Sequence, residues 1–319
     1  MKNLSLPFFS IVIPVYNKEL HIARALNSVM SQTFQDFEVI VVCDPSTDNS
    51  NAEVEKFQDP RIKVFYRNEP GPGGYAARNL GIEKAQGEWI AFLDADDEWL
   101  PTHLEKMHVL SQKFPDVMML GAGWESKSVQ KSSIDKYSRQ HPNADCHLVT
   151  LLEYLQKGLH GSRPIHTSVA CVKRSSPMMN ELFIIHPEVK RGGDLFAWLK
   201  MLCFHKQMAW SNHVGALYYT DALNMVTKSA PSTAYLMSEE VFKSLASMLS
   251  TDEKLWLQKY FNRWLRNDWK SNIHRGCQNF NLAAKLYWRG DFLYALVLYI
   301  TTVWPQNLRK LFGFSGRKY

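Results

Sequence analysis

The chain has 319 residues, of which 45% are hydrophobic and 21% charged, a balance that is typical of a globular protein and excludes a disordered or fibrous one. This length accommodates one large α/β domain with an appendage or two domains. The net charge of +6 suits an anionic ligand or an anionic membrane surface, whereas the absence of a basic stripe and of zinc-finger spacing argues against a nucleic-acid partner.

The first part of the chain alternates between strand and helix patterns. Residues 10–15 (SIVIPV) and 37–43 (FEVIVVC) are continuous runs rich in β-branched side chains, the pattern of strands buried on both faces of a parallel sheet. Apolar spacing over 19–32 predicts a helix between them, and a second helix over 48–57 precedes a strand at 62–66. We therefore expect consecutive βαβ units.

A glycine-rich turn and an acidic loop follow these units. The turn at 71–74 (GPGG) opens a helix predicted over 75–86, with Gly87 at the favoured C-terminal position. Residues 89–93 predict a fourth buried strand, and Pro101 marks the start of another helix.

The second half of the chain has weaker patterns. Residues 121–164 are polar and basic around a short helix at 150–157, and they are followed by a predicted strand at 167–173 and a predicted helix at 194–204. From residue 233 onward the sequence predicts helices, over 239–249, 253–269, 279–289 and 292–303.

Acidic residues follow two of the predicted strands. Asp44 comes directly after the second strand, and Asp94, Asp96 and Asp97 follow the fourth. In open α/β sheets ligands bind beyond the carboxyl ends of the strands. An Asp-x-Asp pair there supplies the oxygen ligands that bind a nucleotide diphosphate through a divalent cation, although such pairs are also common as solvated loop acids or helix caps.

Four segments carry a more specific signal because of their order. They read SIVIPVYNKE, CDPSTDNS, GPGGYAARNLG and GEWIAFLDADDEWLP, and this succession resembles the family 2 glycosyltransferases. The resemblance implies a GT-A fold: an α/β, Rossmann-like, mixed but mostly parallel sheet flanked by helices, here with a helical C-terminal extension. Cys43 and Pro45 depart from the family's Asp-Asp-Gly-Ser-Thr-Asp element, which retains its second acid as Asp44.

The resemblance assigns the donor contacts. It places Pro14, Val15 and Tyr16 around the nucleotide base and gives Asp44 a hydrogen bond to a uracil-like ring. Two alternatives stay open: Tyr16 packs on the sheet edge, and Asp44 or Asp48 caps the next helix. Asp48 is interpreted as structural.

Gly73, Arg78 and Asn79 match the family segment in which a helix N-terminus and a cation stabilise a diphosphate. For Arg78 the alternative is an intramolecular ion pair. By the same resemblance Asp94 lies near the ribose and Asp96 binds Mn²⁺ or Mg²⁺, which neutralises charge on the departing diphosphate. Asp97 either lies just outside the metal ligands, behind Asp94 and Asp96, or caps a helix.

The second half of the family pattern is a Glu-Asp pair before a Trp-containing helix. Residues 191–199 (RGGDLFAWL) fit it, with Gly193 in place of the glutamate and Asp194 as the candidate catalytic base. The alternative makes Asp194 the N-cap of that helix. The family's downstream histidine is not recognisable, and no role is assigned to His166, His186 or His213.

The resemblance thus implies an inverting transfer from a nucleotide-diphosphate sugar, a UDP-sugar by preference, to a glycan or lipid-linked acceptor in surface polysaccharide synthesis. A nucleotide-sugar-binding module without transfer activity is the alternative, suggested by Cys43, Pro45 and Gly193. The implied domains are 1–225, with a donor half at about 8–120 and an acceptor half at about 121–225, and a helical region at 226–319.

Several features bear on localisation. Five scattered cysteines without a Cys-x-x-Cys pair suit the reducing cytoplasm. The apolar stretch 292–304 is shorter than the roughly 20 residues that span a bilayer. Because Arg309, Lys310, Arg317 and Lys318 follow it, we expect a cytoplasmic protein with possible peripheral contact at the inner face of the membrane. The alternative is that this helix packs on the GT-A domain.

Overall fold

The computed structural model describes residues 6–142, 145–222, 235–274 and 285–303. The strands are β1 Phe9–Val15, β2 Phe37–Cys43, β3 Ile62–Tyr66, β4 Trp89–Phe92, β5 Glu98–Trp99, β6 Met119–Lys127, β7 Ser132–Ile134, β8 Cys146–Thr150, β9 Cys171–Lys173 and β10 Gln207–Tyr219. The helices are α1 Ile22–Met30, α2 Ser50–Glu55, α3 Tyr75–Lys84, α4 His103–Lys113, α5 Lys136–Gln140, α6 Leu151–Leu159, α7 Gly193–His205, α8 Glu239–Ala246, α9 Thr251–His274 and α10 Phe292–Val303.

One mixed sheet organises the described residues, in the order β3-β2-β1-β4-β9-β6-β10-β5. The first four strands in this order are parallel to one another. β9 is antiparallel to both β4 and β6, and β10 returns parallel to β6. β9 therefore joins a parallel N-terminal part of the sheet to a second part built from later strands.

The strands alternate their side chains between two hydrophobic cores. In β1, Ile11 and Ile13 lie in one core while Val12 lies in the other, and all three are fully buried. Helices cover both faces, which explains why β1 and β2 read as unbroken apolar runs. The predicted α/β class and the bounds of β2 and β3 are confirmed.

Some sequence expectations were wrong in detail. The predicted strand at 167–173 is a 3-10 turn over Thr167–Val169 followed by the short β9. α3 ends at Lys84, so Gly87 is not its C-terminal glycine. A Cβ atom at Gly87 would lie 2.6 Å from the backbone nitrogen of Ser10, so close strand approach is what requires a glycine there.

The region from 121 to 164 contains more strand than its polar sequence indicated, because β6 extends into it and β7 and β8 lie within it. Of the predicted C-terminal helices, α8 and α9 are present and α10 has the predicted bounds. The predicted helix at 279–289 lies partly outside the described residues, and its described end forms a turn. None of the described helices is both long and apolar enough to cross a membrane.

Candidate active site

Asp94 lies just beyond the end of β4, and its carboxylate forms an ion pair with the guanidinium of Arg78 on α3. Arg78 is buried and also donates a hydrogen bond of 2.9 Å to the carbonyl oxygen of Gly73. Burial raises the pKa of Asp94, but Arg78 and other neighbouring cationic groups outweigh that effect and hold this pKa below its ordinary value. Arg78 therefore forms the intramolecular ion pair that was the alternative to diphosphate contact. Its partner, Asp94, is itself a predicted site residue.

Asp96 pairs with a cation that the sequence did not suggest. Its Oδ2 atom lies 2.8 Å from the Nζ atom of Lys18, and its side chain is 15% exposed. The backbone carbonyl of Asp96 accepts a hydrogen bond from Arg24, whose guanidinium carbon lies 3.7 Å from the ring centroid of Tyr219. A partly exposed carboxylate offers the oxygen ligands that a divalent cation requires, so Asp96 fits the predicted metal.

Asp97 lies fully buried behind these two acids. It accepts hydrogen bonds from the hydroxyl of Ser168 at 2.5 Å and from the backbone N–H of Tyr219 at 3.3 Å. Burial, together with the charges of Asp96 and Asp94, raises its pKa well above the ordinary value. The helix-cap alternative for Asp97 is wrong, because α4 begins six residues later with Thr102 at its N-cap position.

Asp194 lies in the first turn of α7, whose N-cap is Gly192. The alternative that Asp194 is the N-cap residue is therefore wrong. Its Oδ2 atom instead accepts a hydrogen bond of 3.0 Å from the hydroxyl of Thr167.

The segment from His166 to Ser168 connects the two acidic groups, and sequence reasoning missed it. Thr167 bonds to Asp194, as described above. Ser168 bonds to Asp97 and accepts a hydrogen bond of 3.3 Å from the backbone N–H of Asp94. The cause is antiparallel pairing of β9 with β4, which places the residues before β9 beside those after β4. A polar His-Thr-Ser triplet directly before an apolar run was the available signal.

His166 directly precedes Thr167 and Ser168, the two residues that contact the predicted site acids. Its ring centroid is 4.6 Å from that of Tyr218 and 5.5 Å from that of Trp124. Burial lowers the pKa of His166, and the charges of three carboxylates oppose this shift: Asp94, Asp194 and Asp96. The structure thus brings the acids after β4 and the acid on α7 to one place.

Asp44 lies at the end of the neighbouring strand β2 and is only 2% exposed. Its carboxylate accepts hydrogen bonds from the Nη1 atom of Arg67, at 2.5 Å, and from the backbone N–H of Gly71, at 3.2 Å. It does not cap the next helix, since α2 has Asn49 at its N-cap position. Asp48 has the expected structural role, accepting hydrogen bonds from Glu19 and Ser50.

The other predicted donor contacts differ in exposure. Val15 is buried, Pro14 is half-buried, and Tyr16 is 46% exposed, so the Tyr16 ring is not packed away against the sheet edge. Asn79 instead uses both ends of its amide on Phe183, donating to its carbonyl at 2.7 Å and accepting from its N–H at 3.0 Å. Base contact and diphosphate contact remain predictions for these residues.

The family model described as Glycosyl transferase family 2 matches residues 10–140, the range that contains β1 to β4 and the acids that follow them. This segment belongs to glycosyltransferase family 2.

Curated relatives match the same part of the chain. An uncharacterized glycosyltransferase of Haemophilus influenzae is 40% identical over 105 residues, which are 32% of this chain and 42% of the relative. The UDP-Glc:alpha-D-GlcNAc-diphosphoundecaprenol beta-1,3-glucosyltransferase of Escherichia coli is 43% identical over 96 residues, 30% of this chain and 38% of the relative. The chain thus spans less than half of the length of these relatives.

Solved structures agree with the fold over a longer range. The crystal structure of S. aureus TarS 1-349 in complex with UDP-GlcNAc has a TM-score of 0.71 at 20% identity, covering 96% of this chain and 92% of that one. At this identity the likeness concerns the fold alone. The GT-A fold with a helical C-terminal region is confirmed.

One departure from the family 2 pattern has a steric explanation. A Cβ atom at Gly193 would lie 2.7 Å from the Cζ atom of Tyr75, and one at Gly73 would lie 2.5 Å from a ring carbon of the same tyrosine. The hydroxyl of Tyr75 accepts a hydrogen bond of 3.0 Å from the Gly193 N–H. Tyr75 thus fills the volume that a glutamate at position 193 would need, so the glycine reflects packing.

Cys43, another departure from the family pattern, is 1% exposed in the hydrophobic core. Burial raises the pKa of its thiol to about 12, so it stays neutral. Cys43 therefore acts as a small apolar core residue and leaves Asp44 as the acid of this element.

Proposed function

We propose that this chain is a metal-dependent, inverting glycosyltransferase that transfers a sugar from a nucleotide-diphosphate donor, a UDP-sugar, to a glycan or lipid-linked acceptor. The observation that carries the proposal is that two neighbouring residues, Thr167 and Ser168, are hydrogen-bonded to Asp194 of α7 and to Asp94 and Asp97 of the donor segment. Groups for the leaving diphosphate and for the acceptor hydroxyl therefore lie on either side of one short segment.

On the donor side, Asp96 would hold the cation, which when bound neutralises charge on the diphosphate. Arg78 is the charged group nearest Asp94, and it is buried, so it offers a fixed positive charge at the predicted diphosphate site. Asp44 would accept a hydrogen bond from the base, with the exposed Tyr16 ring beside it. Pro14, Val15, Gly73 and Asn79 complete the proposed donor contacts.

On the acceptor side, Asp194 would take the proton of the attacking hydroxyl. Single displacement requires attack from the face of the sugar opposite the leaving group, so the base must be separate from the metal-binding acid. Asp194 meets this requirement because it lies on α7, outside the donor segment, and the hydroxyl of Thr167 holds its Oδ2 atom. A positioned base of this kind contributes roughly 10²–10⁴ in rate.

A lipid-linked acceptor is supported by the name of the E. coli relative, which acts on a diphosphoundecaprenol-linked sugar. The helix α10 has an exposed apolar surface that suits contact with a membrane. Its Ala295 is fully buried in the core, whereas Leu293, Val297 and Ile300 form an exposed apolar stripe. We propose cytoplasmic, peripheral contact with the inner face of the membrane through this stripe. The basic residues 309, 310, 317 and 318 lie outside the described residues.

The domain division follows the same proposal: a GT-A domain over 1–225, with a donor half at about 8–120 and an acceptor half at about 121–225, and a helical region over 226–319. The short strands β7 and β8 and the helices α5 and α6 belong to the proposed acceptor half.

The test is a panel of nucleotide sugars incubated with the full chain and Mn²⁺, with release of the nucleotide diphosphate as the readout. Turnover of one UDP-sugar that stops on adding chelator supports the proposal. UDP binding without release from any donor, even with lipid-linked or glycan acceptors present, favours the binding module without transfer activity. Failure of every UDP-sugar to bind would contradict both functions.

A further inference from the structure

We propose that His141, His147 and Glu153 form a binding site for a divalent transition-metal ion such as zinc, separate from the cation predicted at Asp96. Each of the three side chains offers one ligand atom, and these atoms all lie within 4.8 Å of one another. They come from three different elements: His141 directly follows α5, His147 lies on β8, and Glu153 lies in the first turn of α6. This proposal does not depend on the proposed transferase activity.

The hydrogen bonds of His141 orient one ring nitrogen toward the cluster. Its Nδ1 atom lies 2.8 Å from the carbonyl oxygen of Tyr137, and because a carbonyl only accepts, Nδ1 carries the hydrogen. The lone pair is therefore on Nε2, which lies 3.9 Å from the Oε1 atom of Glu153. Metal-bound histidines typically donate their second N–H to a carbonyl or carboxylate in this way.

The spacing between these two atoms suits an ion. A separation of 3.9 Å is too long for a hydrogen bond. It lies within reach of two metal–ligand bonds of roughly 2.0–2.2 Å each. A tetrahedral ion would need its ligand atoms about 3.3 Å apart, so a pair at the 4.8 Å limit has to close by about 1.5 Å. Side-chain rotation supplies such a movement, because all three residues are only half-buried.

Tyr137 links the other two ligands. Its hydroxyl donates a hydrogen bond of 2.6 Å to the Oε1 atom of Glu153 and accepts one of 2.9 Å from the Nε2 atom of His147, which leaves the lone pair of this imidazole on Nδ1. The hydroxyl therefore holds the glutamate and this histidine on the same side of the cluster.

An aromatic wall closes one side of the site. The ring of Trp210 lies 5.1 Å from that of His147 and 4.8 Å from that of Tyr137, measured between centroids. Such an apolar wall limits access of water to the ligands. Two imidazoles with one carboxylate select transition metals, whereas Mg²⁺ and Mn²⁺ prefer the all-oxygen chemistry of Asp96.

The experiment titrates Zn²⁺ into the untagged, chelator-treated full chain by calorimetry, and repeats the titration with Co²⁺ while recording its visible absorption. One tight site and a Co²⁺ spectrum of low coordination number are expected, together with a raised thermal unfolding midpoint. Glu153→Gln keeps an acceptor for the Tyr137 hydroxyl but removes the charge, and it should weaken Zn²⁺ binding by more than about 100-fold, since changes outside the ligand shell already cost roughly 10–100-fold.

His147→Ala should have the same effect as Glu153→Gln, and circular dichroism checks its folding; if it does not fold, Glu153→Gln decides. His160→Ala is the matched control, because His160 is an exposed histidine just after α6. Asp96→Asn is a second control, because it removes the predicted ligand of the donor cation and leaves the three ligands of this site intact. Unchanged Zn²⁺ binding in both controls supports the site. Equal binding by the chain and by Glu153→Gln, or a loss seen only with Asp96→Asn, overturns it.

Discussion

The Oδ2 atom of Asp96 lies 2.8 Å from the Nζ atom of Lys18, although 78 residues separate the two along the chain. The residue predicted to bind the donor cation therefore already has a positive charge beside it. Lysine and a metal ion would compete for the same carboxylate, so the strength of this ion pair should regulate metal binding.

We predict that Lys18→Gln binds Mn²⁺ more tightly, by roughly tenfold or more, because a charge interaction at this distance near a protein surface is worth on the order of a few kcal/mol. Asp96→Asn should instead make UDP binding weak and insensitive to chelator. Calorimetry with Mn²⁺ and UDP measures both. Lys63→Gln is the control, since Lys63 pairs with Glu38 at 2.8 Å. Weaker Mn²⁺ binding by Lys18→Gln would show that the lysine assists the cation.

Asp194→Asn should keep near-normal donor binding and reduce transfer by roughly 10²–10⁴. The asparagine side-chain oxygen still accepts the hydrogen bond from Thr167, so geometry is retained while basicity is lost. Steady-state kinetics gives the rate, and proton NMR of the product should show an anomeric configuration opposite to that of the donor. The exposed Asp36→Asn is the control. Retained configuration, or full turnover by Asp194→Asn, would eliminate this mechanism.

Gly193→Ala should destabilise the chain by roughly 1–3 kcal/mol through overpacking, because the added methyl meets the ring of Tyr75 at 2.7 Å. Urea unfolding measures the change. In a Tyr75→Leu background the same substitution should cost less, since the ring is gone, and this double-mutant cycle is its own control. Equal costs in the two backgrounds would show that the steric account of Gly193 is mistaken.

Stability should fall as the pH decreases from about 6.5 toward 4, because of a buried histidine pair. The Nδ1 atom of His103 lies 3.3 Å from the Nε2 atom of His213. Burial lowers the pKa of His213 to about 4 and also lowers that of His103. Below the unfolded-state pKa of 6.5 the unfolded chain binds more protons than the folded one, so acid favours unfolding.

For His213 alone this linkage amounts to about 3 kcal/mol between the two limits. Urea unfolding at pH 7.5, 5.5 and 4.5 measures the slope, which should be shallower for His213→Gln than for the original chain. His160→Gln, in which an exposed histidine is replaced, should retain the full slope. Identical slopes in all three proteins would assign the pH dependence to other groups.

Liposome flotation should show binding to anionic vesicles that weakens with salt, because exposed charges are screened over about 8 Å at physiological ionic strength. Replacing both Leu293 and Val297 by serine should reduce the bound fraction, since these side chains are 73% and 57% exposed. Val129→Ser is the control, at a valine 95% exposed elsewhere on the surface. Equal binding to neutral vesicles would contradict the electrostatic part of the proposal, and unchanged binding by the double variant would contradict the role of α10.

The sequence alone determined the N-terminal strands and the acids that follow them. β1, β2 and β4 are signalled by short continuous apolar runs, because strands covered by helices on both faces need no polar side. Asp44, Asp94 and Asp96 were found because they directly follow such runs. By contrast, β10 contains polar residues and shifts its register between Ser211 and Val214, so its 13 residues gave no regular period.

Only the tertiary structure decided how the site is assembled. Thr167 and Ser168 reach the acids because β9 pairs antiparallel with β4, and Lys18 reaches Asp96 from a loop next to β1. The ring of Tyr75 explains why position 193 is a glycine, although the two residues are 118 positions apart in the chain. Local patterns report which side chains must be buried, since burial depends on each element's own periodicity. They carry no information on which distant side chains meet, because that depends on strand pairing across the sheet.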